Sequence, residues 1–160
     1  LAIDLGDRRV GLALSDPDGI IASPAGYVER RPGKRPPLTA LLERVTTLEA
    51  RAIVVGLPLD QEGEDMPRTL EARRLAEELE KRTGLPTLLV DERFTTAMAL
   101  GAIREMEGST RGRKGDVDAL AATMLLQHAM KLFANDEKRA ANGEQREASN
   151  DERATSDEQR

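Results

Sequence analysis

The chain of 160 residues has no cysteine and no tryptophan, and only one tyrosine, two phenylalanines and one histidine. Without cysteine there can be neither a disulfide nor a thiolate metal site, and nothing points to an oxidising compartment. The lone histidine, His128, falls late in a helical pattern beside Gln127 and reads as structural or solvent-facing, so a histidine general base is not expected. So few aromatics leave little capacity for base stacking, and any nucleic acid should be gripped through backbone and shape. No apolar run approaches the ~18 residues of a membrane span, so no membrane association is expected and a cytoplasmic location is the default. Positive charge is also short: 24 basic residues face 29 acidic ones, a net −5. Binding of a polyanion must therefore rely on local basic patches rather than bulk charge.

What is present begins with the opening stretch, Leu1 to Asp16. Ile3 and Leu5 read as a buried strand with the carboxylate of Asp4 inside it, and Gly6 ends that strand. Gly11, Leu12 and Leu14 begin a second, with Asp7, Arg8 and Arg9 forming a tight hairpin that bears two exposed cations. A carboxylate in a core strand loses hydration and is tolerated mainly when a metal or partner compensates it. Asp4 is therefore a candidate metal ligand, with a strand-end turn residue as the alternative. The chain starts inside this strand pattern without Met or a basic-then-apolar leader, so it is expected to be trimmed or to lack residues before Leu1.

Further along, Asp16-Pro-Asp-Gly19 is a turn, and a third strand is expected from Ile20 to about Val28. Arg30, Arg31, Lys34 and Arg35 lie in a loop that is either solvated or phosphate-gripping. Leu38, Leu41, Leu42, Val45 and Leu48 keep helical spacing to about Glu49. Ala52 to Leu57 is a short apolar run suited to a strand buried on both faces, ended by Pro58; Gly56 and Pro58 read as turn-shaping residues. Pro67 and Thr69 introduce a second helix, capped by Gly84 and stopped by Pro86. Thr87 to Asp91 is the fifth strand. A third helix is expected to about Met106, then a basic stretch over 108–115, then a last helix carrying Val117, Leu120, Ala121, Met124 and Leu125 on one face. Beyond Phe133 the pattern fades, and 135–160, with eight acidic and five basic residues, is expected to be a disordered polar tail behind a single domain over 1–134. The order β-β-β-α-β-α-β-α-α implies an α/β fold: a five-stranded mixed sheet with helices on both faces, the fifth strand two places from the first.

Acidic residues fall at strand ends or helix starts: Asp4, the pair Asp91-Glu92, and Asp118. Converging carboxylates are what a hard divalent ion requires, since Mg²⁺ and Mn²⁺ take oxygen ligands and support phosphodiester cleavage. Each also has a plainer explanation. Asp118 in a first helical turn is favoured by the helix dipole, and Asp91 or Glu92 could pair with Arg93.

Taken together, four motifs in order resemble the YqgF/RuvX family of small bacterial proteins. They are Asp4-x-Gly6-x4-Gly11-x-Ala13-x-Ser15-Asp16; Val54-Val-Gly-Leu-Pro58 with Gly63; Asp91-Glu-Arg-Phe-Thr-Thr96; and Val117-Asp-Ala-Leu-Ala-Ala122 followed by Leu126-Gln127. The resemblance implies an RNase H-like fold and a nuclease acting on the 5′ end of pre-16S rRNA during ribosome biogenesis, or alternatively a Holliday junction resolvase. It implies catalytic and metal-binding roles for Asp4, Glu92 and Asp118, with Mg²⁺ or Mn²⁺ as cofactor and Asp91 as an alternative ligand. Arg8, Arg9, Arg93, Thr95, Thr96, Arg113 and Lys114 are candidate phosphate contacts, although the two threonines could equally cap a helix. The expected partner is structured RNA or branched DNA, and resolution of a four-way junction would favour a homodimer. Two other classes compete: an actin- or sugar-kinase-like ATPase, which needs two such domains around its nucleotide, and a ribosome- or transcription-associated binding module without turnover.

Overall fold

A computed structural model describes residues 1–60, 62–92 and 118–135. The chain divides into two units, Leu1–Ala129 and Met130–Arg160, and the description below concerns the first. Its sheet has the order β3-β2-β1-β4-β5. β1 (Ala2–Leu5), β2 (Arg9–Ser15) and β3 (Ala22–Glu29) form the antiparallel meander, while β4 (Ile53–Leu57) and β5 (Thr87–Asp91) run parallel to β1. Helices α1 (Leu38–Thr47) and α2 (Pro67–Thr83) provide the crossovers. The fold is thus a five-stranded mixed α/β sheet, and its fifth strand lies two places from the first.

The pleat sends alternate residues to opposite faces. Ile3, Leu5, Val10, Leu12, Ile53, Val55 and Leu57 form one core with Leu41 and Val45 of α1 and Ala72, Leu75, Ala76 and Leu79 of α2. The other face presents Ala2, Ala13, Val54 and Val90, all buried. It is covered by helical residues 118–129, whose Ala119, Ala122, Leu125, Leu126 and Ala129 are buried in turn. Gln127 ties this cover to the sheet: its side chain accepts the Ala22 N–H (3.4 Å) and donates to the Ile20 carbonyl (3.3 Å). Every residue of β4 is buried, as expected of a central strand flanked on both faces.

Several local features differ from the sequence-based expectation. β3 begins at Ala22 rather than Ile20, because the Asp16 carboxylate holds the turn by accepting the N–H groups of Ile20 (2.7 Å) and Ile21 (2.9 Å). Those bonds hold the Asp16 carboxyl below its usual range. α1 stops at Thr47, followed by Glu49 at φ 51°. α2 ends as expected on left-handed Gly84 (φ 69°). Arg30 is not a free phosphate-gripping cation. Its guanidinium is nearly buried and bonds Glu71 of α2 (2.5 Å), the Gly6 carbonyl (3.3 Å) and the Lys34 carbonyl (2.8 Å). It staples the β1–β2 turn, the end of β3 and α2 together, leaving Arg31, Lys34 and Arg35 exposed. The expected third helix, the basic stretch and residues 136–160 of the expected tail lie outside the described residues.

Candidate active site

Asp4 lies in a row of residues that crosses the whole sheet on the face covered by the last helix. Tyr27 of β3 is level with Gly11 of β2, Gly11 with Asp4 of β1, and Gly56 of β4 with Val90 of β5. The parallel offset that pairs Ala2 with Val54 and Ile3 with Val55 carries on to set Asp4 beside Gly56. The one carboxylate in the row is therefore flanked by two residues without side chains, and both gaps are filled from elsewhere.

At Gly56 the gap is filled by Glu92. A Cβ there would overlap the Glu92 Oε1 and stand 2.9 Å from its Cδ and 3.1 Å from its Cγ. Glu92 follows directly on β5 and is anchored by its backbone N–H to the Leu57 carbonyl (3.2 Å). Gly56 is accordingly not a turn residue: it sits inside β4 and provides room for this carboxyl. Asp91 is level with Leu57, whose side chain belongs to the α1–α2 core. Strand alternation thus directs Asp91 to the opposite face, while Glu92 folds back over Gly56 to hydrogen-bond with Asp4.

At Gly11 the gap is filled by the backbone of the last helix, where a Cβ would overlap the Asp118 carbonyl oxygen and lie 2.7 Å from its carbon. This contact brings the helix, and Asp118 with it, to the edge of Asp4. The Asp118 carboxylate pairs with Arg9 (3.5 Å), whose guanidinium in turn lies 4.9 Å from the centre of the Tyr27 ring. Arg9 is thus half-buried and engaged rather than an exposed hairpin cation, whereas Arg8 is exposed at the turn.

Electrostatics follow from this crowding. Burial, the Asp4 charge and the hydrogen bond between them push the Glu92 carboxyl from 4.5 up to about 8. Burial, with the nearby Asp118 charge, raises Asp4 as well. One positive side chain opposes both shifts. Arg68, in the first turn of α2, lowers each carboxyl and itself pairs with Asp7 in the β1–β2 turn. Its position is fixed by buried Thr69, whose hydroxyl bonds the Pro58 carbonyl at the end of β4 and accepts the Met66 N–H (2.9 Å). The sequence reading missed Arg68. The available signal was Pro67, which marks a helix start just past the strand edge where Asp4 and Glu92 lie.

Among the described residues no three His, Asp or Glu side chains stand close enough together to hold a metal as they are. The donor chemistry nevertheless suits a hard divalent ion. Asp4 and Glu92 are facing carboxyls that share a proton, their oxygens are the ligand type such an ion takes, and Asp118 stands at the edge on Arg9. Of the remaining candidates, Arg93, Thr95, Thr96, Arg113 and Lys114 lie outside the described residues.

The proton shared by this pair makes stability depend on pH. Between 4.5 and about 8 the folded protein keeps a proton on Glu92 that the unfolded chain has lost. Stability therefore falls as pH rises through that window, by at most about 1.4 kcal/mol per unit. Glu92→Gln removes the effect. Urea denaturation in chelator at several pH values should find the variant's advantage over the parent growing from acid to alkaline pH, and a constant difference would refute the coupling.

The family model for RuvX, described as Holliday junction resolvase, matches residues 1–132. The chain belongs to the RuvX family. A protein of Koribacter versatilis (strain Ellin345) named "putative pre-16S rRNA nuclease" is 46% identical over 127 residues, spanning 79% of this chain and 82% of that one. A second with the same name, from Clavibacter michiganensis subsp. michiganensis, is 40% identical over 131 residues, spanning 82% and 81%. Thermus thermophilus RuvC shares the fold, with a TM-score of 0.53 at 13% identity over 83% of this chain and 94% of that one. RuvC of the same organism in complex with a Holliday junction substrate gives 0.51 at 16% identity, over 82% and 93%. The sheet is thus RNase H-like, and the row through Asp4 crosses the sheet of a family described by nucleic-acid cleavage.

Proposed function

We propose that this chain is a divalent-cation-dependent nuclease that hydrolyses phosphodiester bonds in a structured nucleic acid, with the 5′ end of precursor 16S rRNA as its substrate. One observation carries the reading: the Asp4–Glu92 carboxyl pair, half-buried beside Asp118 on an RNase H-like sheet in a member of the RuvX family. The names of the curated relatives favour the RNA substrate. Asp4 and Glu92 would hold the ion, with the Asp118 carboxylate, now on Arg9, as the further oxygen donor at the edge of the site. A Mg²⁺ or Mn²⁺ ion there would supply an acidified water and charge stabilisation for the departing oxygen. Arg68, Arg8 and Arg9 line the approach as cations for the phosphate backbone, and Arg93, Thr95, Thr96, Arg113 and Lys114 add to them. A substrate of this kind places the protein in the cytoplasm.

Junction resolution is the second reading, supported by the family's description and by the fold shared with RuvC. It requires a homodimer presenting two sites to symmetric strands. The two are separated by titrating Mn²⁺ and Mg²⁺ against a labelled rRNA precursor and a mobile four-way junction. The expected result is cation-dependent cleavage of the RNA that EDTA abolishes. Symmetric nicking of the junction with the RNA intact would replace the first reading with the second. Binding of either without cleavage at any cation concentration would leave only a binding module.

A further inference from the structure

The last residue of the transverse row has no part in the carboxyl chemistry. Tyr27 is the chain's one tyrosine, and it stays 39% exposed although it is level with Gly11 and Asp4 on the same face of the sheet. A β-bulge puts it there. β3 pairs with β2 in one register up to Pro24 and in another from Tyr27 onward, so one extra residue lies between them. Gly26 takes φ 82° within that bulge, and Arg44 of α1 braces it through the Ala25 carbonyl (2.5 Å). An extra residue moves every later side chain to the other face, so it is the bulge that aims Tyr27 toward the carboxylates and Val28 into the core. Arg9 then lies against the ring at 4.9 Å while its guanidinium is held by Asp118. Tyr27 sits two strands from Asp4, roughly 9–10 Å by strand spacing, which is about one to two nucleotides of extended backbone.

We infer that Tyr27, backed by Arg9, is a stacking platform for an unpaired base next to the phosphate being cleaved. This rests on the nuclease reading and extends it: the substrate must present single-stranded nucleotides at the site, as an RNA end does and a continuous duplex does not. The stack has an aromatic face, a cation on it, and exposure on the site's own side of the sheet, which is the combination single-strand binders use. A single stack on the one tyrosine is compatible with the little stacking capacity that so few aromatics leave.

The absence of tryptophan makes Tyr27 its own reporter, since tyrosine emission comes from that residue alone. The full chain carrying Asp4→Asn, which keeps substrate intact, is titrated in magnesium with a short single-stranded oligoribonucleotide, its DNA equivalent and a blunt duplex. Saturable quenching by the single strands, with RNA and DNA compared directly, and none by the duplex is the expected result. Anisotropy of labelled RNA should show Tyr27→Ala and Tyr27→Leu weakening binding roughly five- to hundredfold, with Tyr27→Phe close to the parent. Tyr27→Leu retains an apolar support under Arg9, and an unchanged melting temperature excludes misfolding as the cause. Binding that is equally tight in Tyr27→Ala, with parental emission unquenched, overturns the platform and leaves the nuclease reading standing. If neither the oligonucleotides nor the rRNA precursor and junction bind, the nuclease reading fails and the platform with it.

Discussion

Asparagine in place of Asp4 should reduce cleavage on the order of 10³-fold or more, equivalent to about 4 kcal/mol of transition-state stabilisation, while the protein stays folded. Asparagine has nearly the same shape as aspartate and keeps an acceptor for the Glu92 carboxyl, but it brings no charge to attract a cation. The fold should not suffer. Asp4 is a half-buried carboxyl raised by desolvation and by the Asp118 charge, so neutralising it relieves strain the native state carries. The Glu92 carboxyl should also fall from about 8, since the Asp4 charge is the second contributor to its shift, though burial, the first, persists. Urea denaturation should find the variant at least as stable as the parent at neutral pH, and calorimetry should find Mn²⁺ binding lost. Normal turnover by a folded Asp4→Asn protein would remove the basis of the proposed mechanism.

The second large effect comes from adding a single methyl group. Gly56→Ala sets a Cβ against the Glu92 carboxyl, and the three nearest atoms all belong to that flexible side chain. Glu92 can escape by rotating, so the fold loses little. Gly56 does not need the left-handed backbone either, and a strand alanine could even gain a few tenths of a kcal/mol from the unfolded chain's lower entropy. The site does not escape, because Glu92 leaves its place beside Asp4. Cleavage should drop roughly 10²-fold, as expected when a ligand or positioning group moves by an ångström or more. Gly11→Ala provides the contrast. There the new Cβ meets the Asp118 backbone, which can yield only if the helix shifts, so stability and activity should fall together. Thermal melts of the two variants beside their cleavage rates check this directly. Equal destabilisation in both would mean that Gly56 is an ordinary packing glycine.

These contrasts mark where sequence reasoning reached and where it stopped. Strand and helix order could be read from alternation in the first two strands, the apolar run over 52–57 and the helical spacing of α1 and α2, because binary pattern matches period wherever one face is buried. Even the cap at Gly84 and the end of β5 at Asp91 fell where expected. The β3 register could not be read, since a strand glycine such as Gly26 hints at a bulge without fixing which face the later residues take. Arg30 looked like one of four loop cations, and only packing against Glu71 and Gly6 distinguishes it from Arg31. Pro67 marks the start of α2, but only the folded chain sets Arg68 in its first turn near Asp4 and Glu92.

From its sequence alone, this chain's class could be stated: an α/β sheet with carboxylates at strand ends, in motifs resembling one family, with no thiol and a single histidine read as structural or solvent-facing. Those properties are local, set by side-chain type and spacing, and so they survive without coordinates. Which acid faces which was decided only by tertiary structure. Glu92 rather than Asp91 lies against Asp4 because strand pleating sends neighbours to opposite faces and Gly56 leaves the space. Asp118 stands at the edge on Arg9 because Gly11 lets the helix backbone touch the sheet. Both depend on contacts between residues far apart in the chain, and that proximity exists only once the strands have paired.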